Sequence, residues 1–158
     1  MQQGRNEALL RVLNKLSHLI NSSANIIVDE RGLLISEYME THFDKNAIAV
    51  MSSVLNGTSR RFIDTLNLRE LNLLTLNTSK GIFLIKEIPI IQLNRKFTLS
   101  VFIEKGNGVK RSKPHKFKQY FFDLFRISKF THKNNANTKK ILEIINQSIL
   151  EILHIFNR

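Results

Sequence analysis

Ile26-Ile27-Val28-Asp29-Glu30-Arg31-Gly32-Leu33-Leu34-Ile35-Ser36 places two short apolar runs on either side of an acidic, glycine-bearing link. Each run is too short for a helix, and the first is rich in β-branched residues, which suit a half-buried strand. Glycine accepts the positive φ that tight links between antiparallel strands require. Ile26–Ser36 therefore predicts a β-hairpin, and the rest of the chain is read outward from it.

Upstream, Glu7–Ile20 has Leu9, Leu10, Val12, Leu13, Leu16, Leu19 and Ile20 at spacings that give a helix one wide apolar face. Asn21-Ser22-Ser23 should end it, because these side chains compete with the backbone for hydrogen bonds. Downstream, Asp44 is placed to cap a helix over Lys45–Leu66. That helix carries Ala47, Ile48, Val50, Met51, Val54, Leu55, Phe62, Ile63 and Leu66, with Ala49, Ser52, Ser53 and Gly57 among them. Small residues mixed with apolar ones predict packing on more than one side, and Gly57 is a point where the helix bends or divides.

Three strand-like runs follow, Glu70–Asn77, Gly81–Ile88 and Lys96–Ile103. In the last, Phe97, Leu99, Val101 and Ile103 alternate with a period of two, as one buried strand face should. Thr78-Ser79-Lys80-Gly81 predicts a second hairpin, and Pro89 is read as part of a link, where a missing amide donor does little harm. Beyond Ile103, Glu104–Pro114 reads as a basic loop, and Lys116–Phe130 spaces Phe117, Tyr120, Phe121, Leu124 and Ile127 helically. Asn137 or Thr138 should cap a final helix with Ile141, Leu142, Ile144, Ile145, Ile149, Ile152 and Leu153 on its apolar face. These elements predict an α/β (α+β) fold, a five-stranded, mostly antiparallel sheet with helices on both faces and an extra C-terminal helical segment. The expected division is a core over 1–103, a basic, aromatic-rich insertion over 104–137 and a C-terminal helix over 138–158 packing on the core.

Bulk composition narrows the function. At 158 residues with 42% hydrophobic content, the chain supports one packed core. It has no cysteine, which excludes disulfides, thiolate chemistry and cysteine-ligated zinc. No secretory leader is expected from Met1–Glu7, and no segment has the roughly 18–20 apolar residues that a membrane-spanning helix needs. A cytoplasmic protein is expected, with peripheral membrane contact as an option.

The net charge of +11 is unevenly spread. Residues 1–103 hold 12 Lys/Arg against 9 Asp/Glu, whereas residues 104–158 hold 12 against 4. Within 105–133, nine cations face Asp123 alone. Lys110, Arg111, Lys113, Lys116 and Lys118 are thus candidates for an anionic surface, either nucleic acid through phosphate contacts and base stacking or an acidic membrane. A third reading puts the helically spaced aromatics in the core with the lysines solubilising, and all three stay open.

Order and spacing together resemble the roadblock/dynein light chain family over Glu7–Ile103. The residues that carry the likeness are the hairpin Ile26–Ser36 and the small-apolar run Ala47-Ile48-Ala49-Val50-Met51-Ser52-Ser53-Val54-Leu55. The family's fold is roadblock/profilin-like, and the likeness extends to bacterial gliding-motility regulators and archaeal roadblock proteins. The resemblance implies a non-catalytic regulator or scaffold, a homodimer or a heterodimer with a second roadblock protein, with a small Ras-like GTPase as partner. It implies dimer contacts at Ala47, Ile48, Met51, Val54, Leu55, Leu71, Leu73 and Leu74. A GTPase-facing set is expected at Asp44, Lys45, Ser52, Arg60 and Arg61.

No enzyme activity, cofactor, metal or small-molecule substrate is expected. His18, His42, His115, His132 and His154 lack metal-ligand spacing. There is no phosphate-binding glycine loop or nucleophile elbow. Asp29 and Glu30 suit turn chemistry better than paired acid–base catalysis. Arg60-Arg61 admits two readings, an arginine supplied to a GTPase transition state or a solvated helix end, and the helix end is preferred. A ligand sensor of the profilin or PAS type shares the topology, but no ligand-binding residues are recognisable.

Overall fold

A computed structural model describes residues 2–40, 43–105 and 135–157. The elements are α1 (Gln2–Ile20), β1 (Ala24–Asp29), β2 (Leu34–Met39), α2 (Lys45–Thr65), β3 (Leu74–Asn77), β4 (Gly81–Ile90), β5 (Arg95–Glu104) and α3 (Asn135–Phe156). The strands form one sheet in the order β2-β1-β5-β4-β3, with every neighbouring pair antiparallel. Helices α1 and α3 cover one face, and α2 lies on the other.

The founding hairpin is confirmed and its turn is tightly specified. The Asp29 carbonyl accepts from Gly32 N at 3.0 Å, and Asp29 N donates to Leu33 O at 2.9 Å. Asp29 Oδ1 accepts from Arg31 N at 2.9 Å and Leu33 N at 2.8 Å. Gly32 takes φ +81 here, in the region that penalises a side chain. The second strand extends beyond the sequence expectation to Met39 and carries a bulge, since Ile27 faces Ser36 and Val28 faces Leu34.

Alternation along β5 divides the two faces. Phe97, Leu99, Val101 and Ile103 join Leu9, Leu13, Leu16 and Ile20 of α1 and Ile141, Ile145, Ile149 and Ile152 of α3 in the larger core. Ring contact between Phe97 and Phe156 at 4.8 Å closes one end of that core. On the opposite face, Ile26, Val28 and Ala49 form a much smaller cluster. Burial there is continued by Phe102, whose ring meets Phe43 edge-on at 5.0 Å and Phe83 at 4.4 Å. Gly81 is fixed by this packing, because a Cβ would come within 2.5 Å of the Phe102 ring and the Ile103 carbonyl.

Several sequence expectations are corrected. Helix α1 starts at Gln2 rather than Glu7, and α2 runs unbroken through Gly57, which has nothing within 4 Å of an added Cβ. Only Leu74–Asn77 of the expected Glu70–Asn77 strand pairs with β4. Leu73 turns instead into the larger core. Pro89 lies inside β4, opposite Lys96, and is not part of a link. It is tolerated because β3 pairs no further along β4 than Ile85, so that among the described residues no strand pairs with Pro89 on that side. Asn137 and Thr138 sit within α3 and do not precede it. The expectations of a basic loop after Lys105 and a helix over Lys116–Phe130 lie outside the described residues, as do Lys110, Arg111, Lys113, Lys116 and Lys118.

Candidate interaction surface

Helix α2 begins as its sequence dictates. Asp44 Oδ1 accepts from Asn46 N at 2.9 Å and Ala47 N at 3.2 Å, satisfying amides that have no partner within the helix. Lys45 Nζ reaches Glu37 Oε1 on β2 at 2.7 Å and ties the first turn to the sheet edge.

The first half of α2 is clamped to the hairpin. Ala49 is buried against Ile26 and Val28. Ser53 Oγ donates to the Glu30 carbonyl at 2.8 Å. Gly32 approaches so closely that a Cβ would stand 3.1 Å from Val50 Cα. Asp29 holds this corner together. Burial would push its carboxyl group up, but the amides of Leu33 and Arg31 and the Arg31 guanidinium outweigh that and hold its pKa below the usual 3.8.

The second half rests on polar groups. Ser52 and Asn56 are only 3% and 8% exposed and face a stretch of sheet that includes Thr98 and Ser100. Asn56 Nδ2 lies 3.3 Å from both Thr98 Oγ1 and Glu87 Oε2. Glu87 also binds Arg60 at 2.6 Å and Lys96 at 3.5 Å. Asn56 Oδ1 and Ser100 Oγ are buried and make no hydrogen bond among the described residues. Unmet polar groups in such a place lower its cohesion.

With Ser52 and Asn56 turned inward, several apolar side chains of α2 face out. Val50, Met51 and Val54 are 51%, 53% and 53% exposed, and with Ala47 they form one stripe. Phe62 continues it towards the helix end, beside Arg61. Large half-exposed aliphatic groups at helical spacing form a surface suited to another macromolecule.

The structure separates the residues that the sequence grouped. Ala47, Met51 and Val54 lie together on the outer face, whereas Ile48 and Leu55 are half-buried at its flank. Leu71 and Leu74 are half-buried near the sheet edge, and Leu73 belongs to the core. Of the expected GTPase-facing set, Asp44 caps the helix, Lys45 is paired with Glu37, and Arg60 is held by Glu87. Ser52 is buried and offers no surface to a partner, whereas Arg61 is exposed. Val50, absent from the expected contacts, completes the stripe, and its position four residues before Val54 already marked it in the sequence. Among the described residues no three His, Asp or Glu side chains are grouped to hold a metal ion, and no helix is long and apolar enough to cross a membrane.

Helix, hairpin, helix and three further strands, closed by a C-terminal helix over the larger core, define a roadblock-type fold related to that of gliding-motility regulators. Among solved structures, MglB from Myxococcus xanthus superposes with a TM-score of 0.63 at 13% identity, over 94% of each chain. An MglB with a tetrameric arrangement gives 0.59 at 9% identity, over 94% of this chain and 92% of that one. The gliding protein MglB from Thermus thermophilus gives 0.56 at 9% identity, over 93% and 92% of the two chains. No family model matches the sequence, and no curated protein matches it.

Proposed function

We propose that this chain is a non-catalytic regulator or scaffold that assembles with a second roadblock-type subunit and binds a small Ras-like GTPase in the cytoplasm. The observation that carries this reading is the outward stripe Ala47, Val50, Met51 and Val54 on a helix that buries Ser52 and Asn56. The roadblock-type fold supplies the partner class, and the tetrameric arrangement described for an MglB is consistent with assembly of copies.

The stripe can serve in two ways. Pairing two α2 helices covers apolar side chains that are half open to water, each contributing on the order of 1 kcal/mol. A paired surface can then favour one nucleotide state of a GTPase by binding that state more tightly than the other. Arg60 is engaged with Glu87, so regulation by surface contact requires less rearrangement than donation of that arginine to a reacting phosphate.

Sedimentation velocity at micromolar concentration tests assembly. The wild-type chain should sediment as a dimer or larger, and Met51→Asp with Val54→Asp should sediment as a monomer. Capture from the source cell with GDP or a non-hydrolysable GTP analogue tests the partner. One small GTPase should be retained in a nucleotide-dependent way and be lost with the double variant. A strict wild-type monomer that retains no GTPase would refute the proposal. The basic segment 105–133 as a binder of nucleic acid or anionic membrane is the second reading, and it rests on the cations concentrated there and the aromatics interleaved with them.

A further inference from the structure

The corner between β4 and β5 projects an unusual side chain. After the last pair of the ladder, Ile90 with Arg95, the chain makes a short 3-10 turn over Ile91–Leu93 and closes through Asn94 at φ 47. Ile90 is fully buried, whereas Ile91 is 84% exposed, the highest value for any large apolar residue described. Leu93, two residues on, is also exposed.

Other groups reach the same end of the molecule. Asp29 pairs with Phe97, so the Glu30–Leu33 turn extends beyond the sheet at this end and carries exposed Leu33. Phe97 stacks on Phe156, and the Arg5 guanidinium lies 5.7 Å from the Phe156 ring, which brings the start of α1 here too. Arg95 and Lys96 follow the Ile91–Leu93 turn into β5, Arg31 shares its turn with Leu33, and Arg5 stands at the start of α1. Acids described at this end include Asp29, which is bonded to Arg31, Glu87, which Lys96 and Arg60 share, exposed Glu30, and Glu7 near Arg5 on α1.

We infer that this end is a shallow membrane-docking tip that inserts Ile91 and Leu93 among the acyl chains of an anionic bilayer while the cations meet lipid headgroups. Two features favour a bilayer over a protein. A convex turn with a few projecting side chains cannot cover the roughly 800 Å² per partner of a stable protein interface, but it enters a deformable lipid surface readily. Apolar tips backed by cations also match the layering of an acidic bilayer, acyl chains below charged headgroups. The Glu30–Leu33 turn adjoins Val50 of the α2 stripe through Gly32, but the inserting residues Ile91 and Leu93 belong to a different turn, and the inference does not depend on the GTPase reading.

Co-sedimentation of the full chain with vesicles of 7:3 phosphatidylcholine and phosphatidylserine tests the inference, with pure phosphatidylcholine vesicles and 0.5 M salt as comparisons. Binding should require phosphatidylserine and fall with salt. Ile91→Asp should weaken binding by roughly tenfold or more, Arg95→Gln by about fivefold, and Ile91→Trp should strengthen it. Circular dichroism will show whether each variant keeps its fold, and the Trp variant reads the same contact as a gain rather than a loss. Absence of vesicle binding, or binding unchanged by all three substitutions, overturns the inference and in the second case places lipid contact elsewhere on the chain. A change of oligomeric state in Ile91→Asp with vesicle binding intact makes the corner a contact between copies and overturns it as well.

Discussion

Substituting Gly32 by alanine probes the contact that anchors α2. At φ +81 the residue lies in the region where a side chain costs about 1–2 kcal/mol. The new Cβ would also stand 3.1 Å from Val50 Cα, 3.5 Å from Ser53 Cβ and 3.6 Å from the Ala49 carbonyl. The nearest of these is backbone within a helix held by its own hydrogen bonds, so it cannot turn aside as a flexible side chain would. Relief requires moving α2 by a few tenths of an ångström, which adds about 1 kcal/mol. Gly32→Ala should therefore lose about 2–3 kcal/mol in urea unfolding, or roughly 5–10 °C in melting temperature for a domain of this size. Asparagine tolerates a left-handed backbone better but carries the same Cβ, so Gly32→Asn should lose about half as much. A loss below about 0.5 kcal/mol for alanine would refute the close approach. Equal losses for both variants would refute the backbone argument and leave the steric contact as the whole cause.

Two other perturbations test the ends of the same helix-to-sheet contact. The Asp29 pKa is depressed in the folded state, so its contribution is present above the unfolded value and disappears as pH falls through the folded one. Wild-type stability should thus decline as pH drops below about 3.9, and Asp29→Asn, less stable at neutral pH, should show a shallower decline in unfolding series from pH 7 to pH 2. Glu87→Gln leaves Arg60 and Lys96 without their carboxylate and should cost about 1 kcal/mol. A double-mutant cycle with Arg60→Met should return a coupling that shrinks with added salt, and no measurable coupling would show the ion pair to be energetically silent.

The hairpin, the Asp44 cap and the apolar faces of α1 and α3 were legible because each is a local pattern. A glycine in a short link, a capping carboxylate and a helical period of apolar residues each specify structure within a few positions. Glu70–Asn77 was less legible, since Leu71, Leu73, Leu74 and Leu76 do not alternate. Pairing with β4 claims only the last four residues, and Leu73 is drawn to the core instead. Pro89 reads as part of a link because sequence shows a missing donor but not which side of the strand lacks a partner.

The outer surface of α2 was the hardest to read. The helix has apolar residues on two sides, and the usual rule would bury the larger ones and expose serine and asparagine. Ser52 and Asn56 are buried instead, because Thr98 and Glu87 stand ready to meet Asn56 across the interface. That complementarity joins residues far apart in the chain and leaves no local trace. Ala47, Met51 and Val54 stand among the eight dimer contacts that the family resemblance implies, beside Ile48 and Leu55, which are half-buried, whereas Val50 is absent from that set.

The polar underside of α2 also bears on how such a surface changes over generations. Most of the apolar core lies across the sheet, between α1, α3 and the odd-numbered residues of β5, where Val50, Met51 and Val54 contribute nothing. Under the proposed function, substitutions in the stripe would therefore alter what the helix recognises while leaving foldability largely untouched. Proposed recognition and folding would then be written in separate sets of residues, so a new binding preference could accumulate one replacement at a time without passing through misfolded intermediates.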